Sequence, residues 1–219
     1  MMPRFLPLLL VLVACTAEPF AVAGPATLSP SPTAIQPAAG ASFVVGEGSR
    51  ATVRVREQLA RLNLPTDAVL TTGAVTGAFA YRPDGSFDAA SSIIVDLATL
   101  ASDESRRDRF IKTSTLETNR FPHAVFVPTA AEGLPNPLPR EGEWTFLVRG
   151  NLTIHGVTKA VTWEMRAKRG GGELTARAAT RLKFADFGMQ RPVVVLVLSI
   201  EDDIRIEIDL VARETAASS

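Results

Sequence analysis

Residues that carry chemistry are scarce in this chain. There is one cysteine, Cys15, so neither an intrachain disulfide nor a multi-cysteine zinc cage can form. There are two histidines, His123 and His155, and no residue spacing makes them an evident metal pair. Neither sign of charge is in excess: 23 basic and 23 acidic side chains cancel over 219 residues. That balance argues against a nucleic-acid binder, which would carry a basic excess. No Gly-x-Ser-x-Gly elbow and no Gly-Lys-Ser/Thr phosphate loop occurs, and no apolar run approaches the ~20 residues of a membrane-spanning helix. Apolar residues are not scarce, at 46 %, which excludes a disordered polymer. Composition therefore leans toward a binding or structural role over an enzyme, with no metal and no cofactor.

The N-terminus reads as an export signal. Arg4 precedes the apolar core Phe5 to Ala14, which is too short to span a membrane. Two processing sites compete. Leu12-Val13-Ala14-Cys15 resembles a bacterial lipobox, in which Cys15 becomes the lipid attachment point of a membrane-anchored lipoprotein. Ala21-Val22-Ala23 fits ordinary signal cleavage after residue 23, giving a periplasmic or extracellular protein. The lipoprotein reading is preferred, because a free thiol in an exported protein would be a liability. Residues 15–41 are rich in Pro, Ala, Ser and Thr and read as a flexible tether, and 214–219 as a disordered tail.

About 170 residues remain between them, enough for one domain at 42–213. Their dominant signal is alternation of period two, the mark of strands with two different faces. Ile204, Ile206, Ile208 and Leu210 alternate with charged residues. Trp144, Phe146, Val148, Leu152 and Ile154; Val157, Val161, Trp163 and Met165; and Leu174, Ala176, Ala178, Leu182 and Phe184 alternate with threonines and other polar or charged residues. Val53 and Val55 share a face, as do Val75, Phe79 and Tyr81, and Ile93, Val95 and Leu97. Turn chemistry at Pro83-Asp84-Gly85, His155-Gly156 and Gly170-Gly171-Gly172 favours antiparallel neighbours. The fold class is all-β: an extended antiparallel barrel or a sandwich, with one short helix near 102–113. Ser102 and the acidic Asp103-Glu104 start that helix. Glu104 with Arg107 and Asp108 with Lys112 have ion-pair spacing, and Phe110 and Ile111 form its apolar edge.

At this point the residues resemble a known family. Leu97 to Asp108 followed by Phe121-Pro122-His123-Ala124-Val125-Phe126, the hairpin Gly150-Asn151-Leu152-Thr153-Ile154-His155-Gly156-Val157-Thr158-Lys159, and the turn Ala185-Asp186-Phe187-Gly188-Met189 resemble segments of the YceI-like family, in the right order. The opening strand lacks the family's Asp and His-Ser pair, with Ser49 the counterpart. The resemblance implies a lipocalin-like barrel whose interior holds a long polyisoprenoid or isoprenoid-quinone chain, carried or stored outside the cytoplasmic membrane.

The candidate lining follows from the inner faces: Val53, Val55, Val75, Phe79, Ile93, Val95, Phe126, Phe146, Val148, Trp163, Ala176, Ala178 and Phe184. The small Gly77, Ala176 and Ala178 would leave room among larger side chains. The alternative is a structural or adhesive domain whose aromatic side chains fill a dry core. Arg107, Asp108, Phe110, Ile111 and His155 are the candidates at the mouth. Arg107 and Asp108 read first as ion pairs docking the helix, and His155 as a turn residue. Asp186-Phe187-Gly188 reads as a turn anchoring Phe187. Val193 to Leu198 is either a buried strand or an apolar rim, the latter able to support a homodimer.

Overall fold

The computed structural model describes residues 40–61, 63–193 and 197–215. The signal segment, Cys15, most of the tether and residues 216–219 lie outside them. Ten strands account for most of the described chain: β1 (Ala41–Val45), β2 (Arg50–Leu59), β3 (Thr66–Thr72), β4 (Val75–Tyr81), β5 (Ser92–Asp96), β6 (His123–Glu132), β7 (Gly142–Ile154), β8 (Val157–Gly170), β9 (Glu173–Leu182) and β10 (Val197–Glu214). All neighbours pair antiparallel, in the order β1-β4-β5-β6-β7-β8-β9-β10, and β1 returns to pair with β10. This closes a barrel of eight strands: of the barrel and the sandwich that the alternation allows, it is the barrel, as the family likeness implies. Closure removes the open edges that would otherwise invite association.

β2 and β3 complete the barrel wall in an uneven way. β10 carries β1 and β2 along one edge, end to end: Val45 faces Ala212, and Arg50 faces Asp209. Between them Gly46–Ser49 sets four residues against two. The Ser49 hydroxyl holds this break. It accepts from the Val211 N–H at 3.0 Å and donates to the Gly46 and Val211 carbonyls. A second break, at Gly73-Ala74, lets β3 pair with β2 while β4 pairs with β1. The far edge of β3 pairs with no strand among the described residues; it meets a bridge from Thr71 to Ala101 and a Thr72–Thr99 side-chain hydrogen bond. At this end a helical segment forms part of the wall in place of a strand: a 3₁₀ turn (Leu97–Thr99), α1 (Ser105–Phe110) and a π turn (Ile111–Thr115).

Strand burial follows the alternation in the sequence. In β7 residues 146, 148, 150, 152 and 154 are buried, while 145, 147, 149 and 151 are exposed. The alternation continues inward along β8 to Arg169, whose side chain is 3 % exposed. It donates to the Leu138 and Pro139 carbonyls and pairs with Glu214 at 2.7 Å, with its guanidinium 5.2 Å from the centre of the Phe43 ring. This closes the end of the barrel away from β2 and β3. Glu214 thus belongs to the domain and not to the tail, and β1 starts at Ala41, so the fold reaches one residue beyond 42–213 on each side. β10 begins seven residues before Ile204, because an irregular register between Ile200 and Ile204 hides its first half from a period-two reading.

A hollow barrel and its mouth

The barrel is not filled. A cavity of about 970 Å³ occupies the end bounded by β2, β3 and the helical segment. A second void of about 90 Å³ lies toward the Phe43 end. Ile93, Phe126, Trp163 and Ile208 border both. Phe126 and Trp163 meet edge to face with ring centres 5.7 Å apart, so this pair forms a waist between the chambers. The Trp163 indole N–H is buried there without a hydrogen-bond partner, an uncommon state for a buried donor.

Of the residues singled out in the sequence, Val53, Val55, Ile93, Val95 and Phe184 lie on the wall of the larger chamber, and Phe79, Phe146, Val148 and Ala178 on that of the smaller. Phe126 and Trp163 touch both. Val75 and Ala176 border neither. Val75 packs in the core opposite Val95, and Ala176 is a short side chain between Ala167 and Leu210 in register, covered by its larger neighbours. Gly77 does not provide room either. A Cβ there would sit 2.1 Å from the Ser92 carbonyl oxygen, so the glycine serves the close approach of β4 to β5.

The helical segment forms one side of the larger chamber. The Leu116 N–H bonds the Ile111 carbonyl five residues back, and this widened turn places Ile111, Thr115 and Leu116 on the chamber wall together with Phe110. Such π turns are rare and are frequent at functional sites. The pairings expected along the helix are replaced by others. The Glu104 carboxylate accepts from the Arg106 backbone N–H, capping α1, and Asp108 accepts from the Ser102 N–H and hydroxyl. Arg107 pairs with Asp103 at 2.8 Å and crosses to Glu57 of β2 at 3.2 Å, which ties the helix to the barrel. Asp108 therefore steadies the turn before the helix and does not border the chamber.

His155 lies outside the chamber. With Gly156 it makes the two-residue turn between β7 and β8, both at positive φ (52° and 74°), as a type I′ hairpin requires. Its Nε2 is 3.1 Å from Glu117 and its ring packs edge-on against Phe121. Glu117, also at positive φ, follows the π turn, so the pair fastens the end of the helical wall to the hairpin. Hydrogen bonds from Arg120 and His155 hold the Glu117 carboxyl below the usual carboxylate range. Phe187 is fully buried in a 3₁₀ turn (Phe184–Phe187) ended by Gly188 at φ 66°, the anchoring turn read from the sequence.

Sequence reasoning missed the polar mouth. Glu57, Arg61, Asp103, Glu104 and Arg106 line the open end of the chamber beside Arg107. A signal was present: Val53, Val55, Glu57, Leu59 and Arg61 continue a single period-two register, and a charged residue on an inward face is conspicuous. Leu152, Ile154, Leu182, Ile204, Ile206 and Ile208 also line the chamber on faces already read as inward. No cluster of His, Cys, Asp and Glu able to hold a metal exists among the described residues.

An antiparallel barrel closed at one end, hollow at the other and walled by a helix is of the lipocalin-like class. Residues 45–212 match the YceI-like domain model, and the chain belongs to that family. Among curated relatives, a UPF0312 protein of Pseudomonas putida strain W619 is 38 % identical over 112 residues, covering 47 % of this chain and 55 % of its own. A UPF0312 protein of Azotobacter vinelandii is 32 % identical over 135 residues, covering 53 % and 67 %. The chain spans about half the length of the first of these relatives. Among solved structures, a polyisoprenoid binding domain from Saccharophagus degradans, implicated in plant cell wall breakdown, superposes with a TM-score of 0.62 at 12 % identity, covering 79 % of this chain and 98 % of that one. Burkholderia cenocepacia BcnA gives 0.54 at 19 % identity, covering 74 % and 95 %. At these identities the likeness is one of fold.

Proposed function

We propose that the chain binds a long isoprenoid lipid or isoprenoid quinone, with its tail in the larger chamber and its head group at the arginine-bearing mouth. The observation that carries this reading is the void of about 970 Å³ with mainly apolar walls and charged residues at its mouth. It stands at the upper end of the range for ligand pockets. At about 30 Å³ for each water-sized group, it has room for roughly thirty heavy atoms. Each methylene taken from water contributes about 0.8 kcal/mol, so a chain of that size binds without polar contacts even after the cost of association. The polyisoprenoid binding of the structurally similar Saccharophagus domain points the same way. We place the protein outside the cytoplasmic membrane, tethered through Cys15 or released after residue 23, as a carrier or store and not an enzyme.

Organic extraction of protein purified without detergent, followed by mass spectrometry, tests the reading. Recovery of a stoichiometric long-chain lipid is the expected result. Repeated recovery of none from protein purified from its native host overturns it. A filled barrel with a structural role is disfavoured by the same void.

A further inference from the structure

We propose that the barrel selects its guest by length: the Phe126–Trp163 waist stops the tail and the charged mouth stops the head group, so that an isoprenoid of about six units fits best. This deepens the lipid-binding reading and rests on it. The waist is a fixed stop. Phe126 and Trp163 are 9 % and 3 % exposed. The Phe126 ring lies on Gly150 of β7, where a Cβ would come within 2.6 Å of two ring carbons, so only a glycine leaves the ring that seat. Trp163 meets the same ring edge to face. Beyond the waist a tail gains little. The smaller void of about 90 Å³ holds roughly three heavy atoms at about 30 Å³ each, less than one isoprene unit.

The opposite end limits the head group. Glu57, Arg61, Asp103, Glu104, Arg106 and Arg107 line the mouth. Their signs balance, so they select for polarity and not for charge. A polar head group keeps its hydrogen bonds there, whereas the mainly apolar wall further in would strip it of water without replacing them. β2 runs the length of the space between the two stops: Arg61 lies at the mouth, and Ala51 lies at the waist opposite Ile208. That space holds roughly thirty heavy atoms, or about six isoprene units. A shorter chain leaves a gap between its tip and the waist and forgoes the contacts there. A longer one leaves its extra units in water outside the mouth and gains nothing from them.

The test uses the delipidated full chain carrying Trp144→Phe, which leaves Trp163 as its sole tryptophan. It is titrated with all-trans polyprenols of about three to about ten units, and a mixture of the same lengths is offered in competition and read by extraction and mass spectrometry. Affinity should rise severalfold with each unit up to about six and stay level within about twofold beyond. Trp163 emission should change only from about that length onward. Phe126→Ala frees about nine atoms' worth of space, the ring and the smaller void together, and should move the break to about eight units. Ala51→Phe fills the chamber from the waist side and should move it to about five, a check that stands even where Phe126→Ala fails to fold. Three results would overturn the stop while leaving the lipid-binding reading in place: affinity that climbs without a break to the longest chain, a break that Ala51→Phe does not move, or a Trp163 response as large for the shortest chains as for the long ones. Binding of no length at all would overturn the reading and the stop with it.

Discussion

Filling the larger chamber separates a ligand site from a packed core. Ala68, in the middle of β3 opposite Val55, presents its methyl group to the void. Ala68→Trp adds an indole of about nine heavy atoms, displacing roughly nine guest atoms at about 0.8 kcal/mol each, or about 7 kcal/mol gross. Part of that is already lost to imperfect contact and ordering. Even one third of it, about 2.3 kcal/mol, weakens binding about fiftyfold. In a close-packed interior the same substitution would cost about 1–3 kcal/mol or more through strain. Here the ring enters empty space and buries its own apolar surface, so stability should change by about 1 kcal/mol or less. Two measurements on one preparation check this: bound lipid by extraction and mass spectrometry, and chemical denaturation. Undiminished lipid at unchanged stability would refute the placement of the guest in this chamber. A loss of about 3 kcal/mol or more would refute the void itself.

Phe126→Ala should merge the two chambers and shift the bound lipids toward longer chains, as read by mass spectrometry. Its stability cost should fall toward the low end of the 3–5 kcal/mol typical of buried aromatics, about 3 kcal/mol, because Phe126 already borders empty space. Glu57→Ala should cost about 1.5–3 kcal/mol in denaturant unfolding, since it leaves Arg107, 22 % exposed, with the exposed Asp103 and a long contact to Ser102. Glu57→Gln should recover part of that loss. Glu117→Gln should lower the melting temperature near neutral pH. The carboxyl is depressed in the folded protein, so its contribution is fully present above the ordinary glutamate range and is lost as pH falls through the lower folded value. Parent and variant should therefore converge in acid; a difference that persists at the lowest pH would count against the Glu117–His155 clasp.

The strands were legible where both faces keep their character along the whole length. β7 and β8 show their inward residues directly in the alternation around Trp144 to Met165, and the His155-Gly156 turn joins them as its chemistry demands. β10 was legible only from Ile204 onward, because the register irregularity before it interrupts the period. Alternation also says which face points inward, but not whether opposing faces meet. The void depends on the distances between walls, which no local pattern encodes. The breaks at Gly46–Ser49 and Gly73-Ala74 have the same non-local origin: Ser49 matters through Val211, 162 positions away. The π turn is invisible for another reason, since no residue preference distinguishes a carbonyl bonded five residues on from one bonded four. Glu57 and Arg61 could have been found by following the inward register beyond Val55, one and three repeats of the pleat further on.

The uneven wall separates two kinds of stability within one molecule. The β7–β8–β9–β10 ladder and the Arg169 closure resist opening with the full cooperativity of the barrel. The segment from Leu97 to Phe121 is anchored at its start by the buried Leu97 and Leu100, a Thr72–Thr99 hydrogen bond and a strand bridge, and beyond Ala101 by an ion pair and a histidine–glutamate contact. Its part from Ser102 onward makes no strand pair with the eight-stranded ring. Its amides should exchange with solvent through a local opening far less costly than global unfolding. Such a local opening would expose the larger chamber while the rest of the barrel keeps its shape.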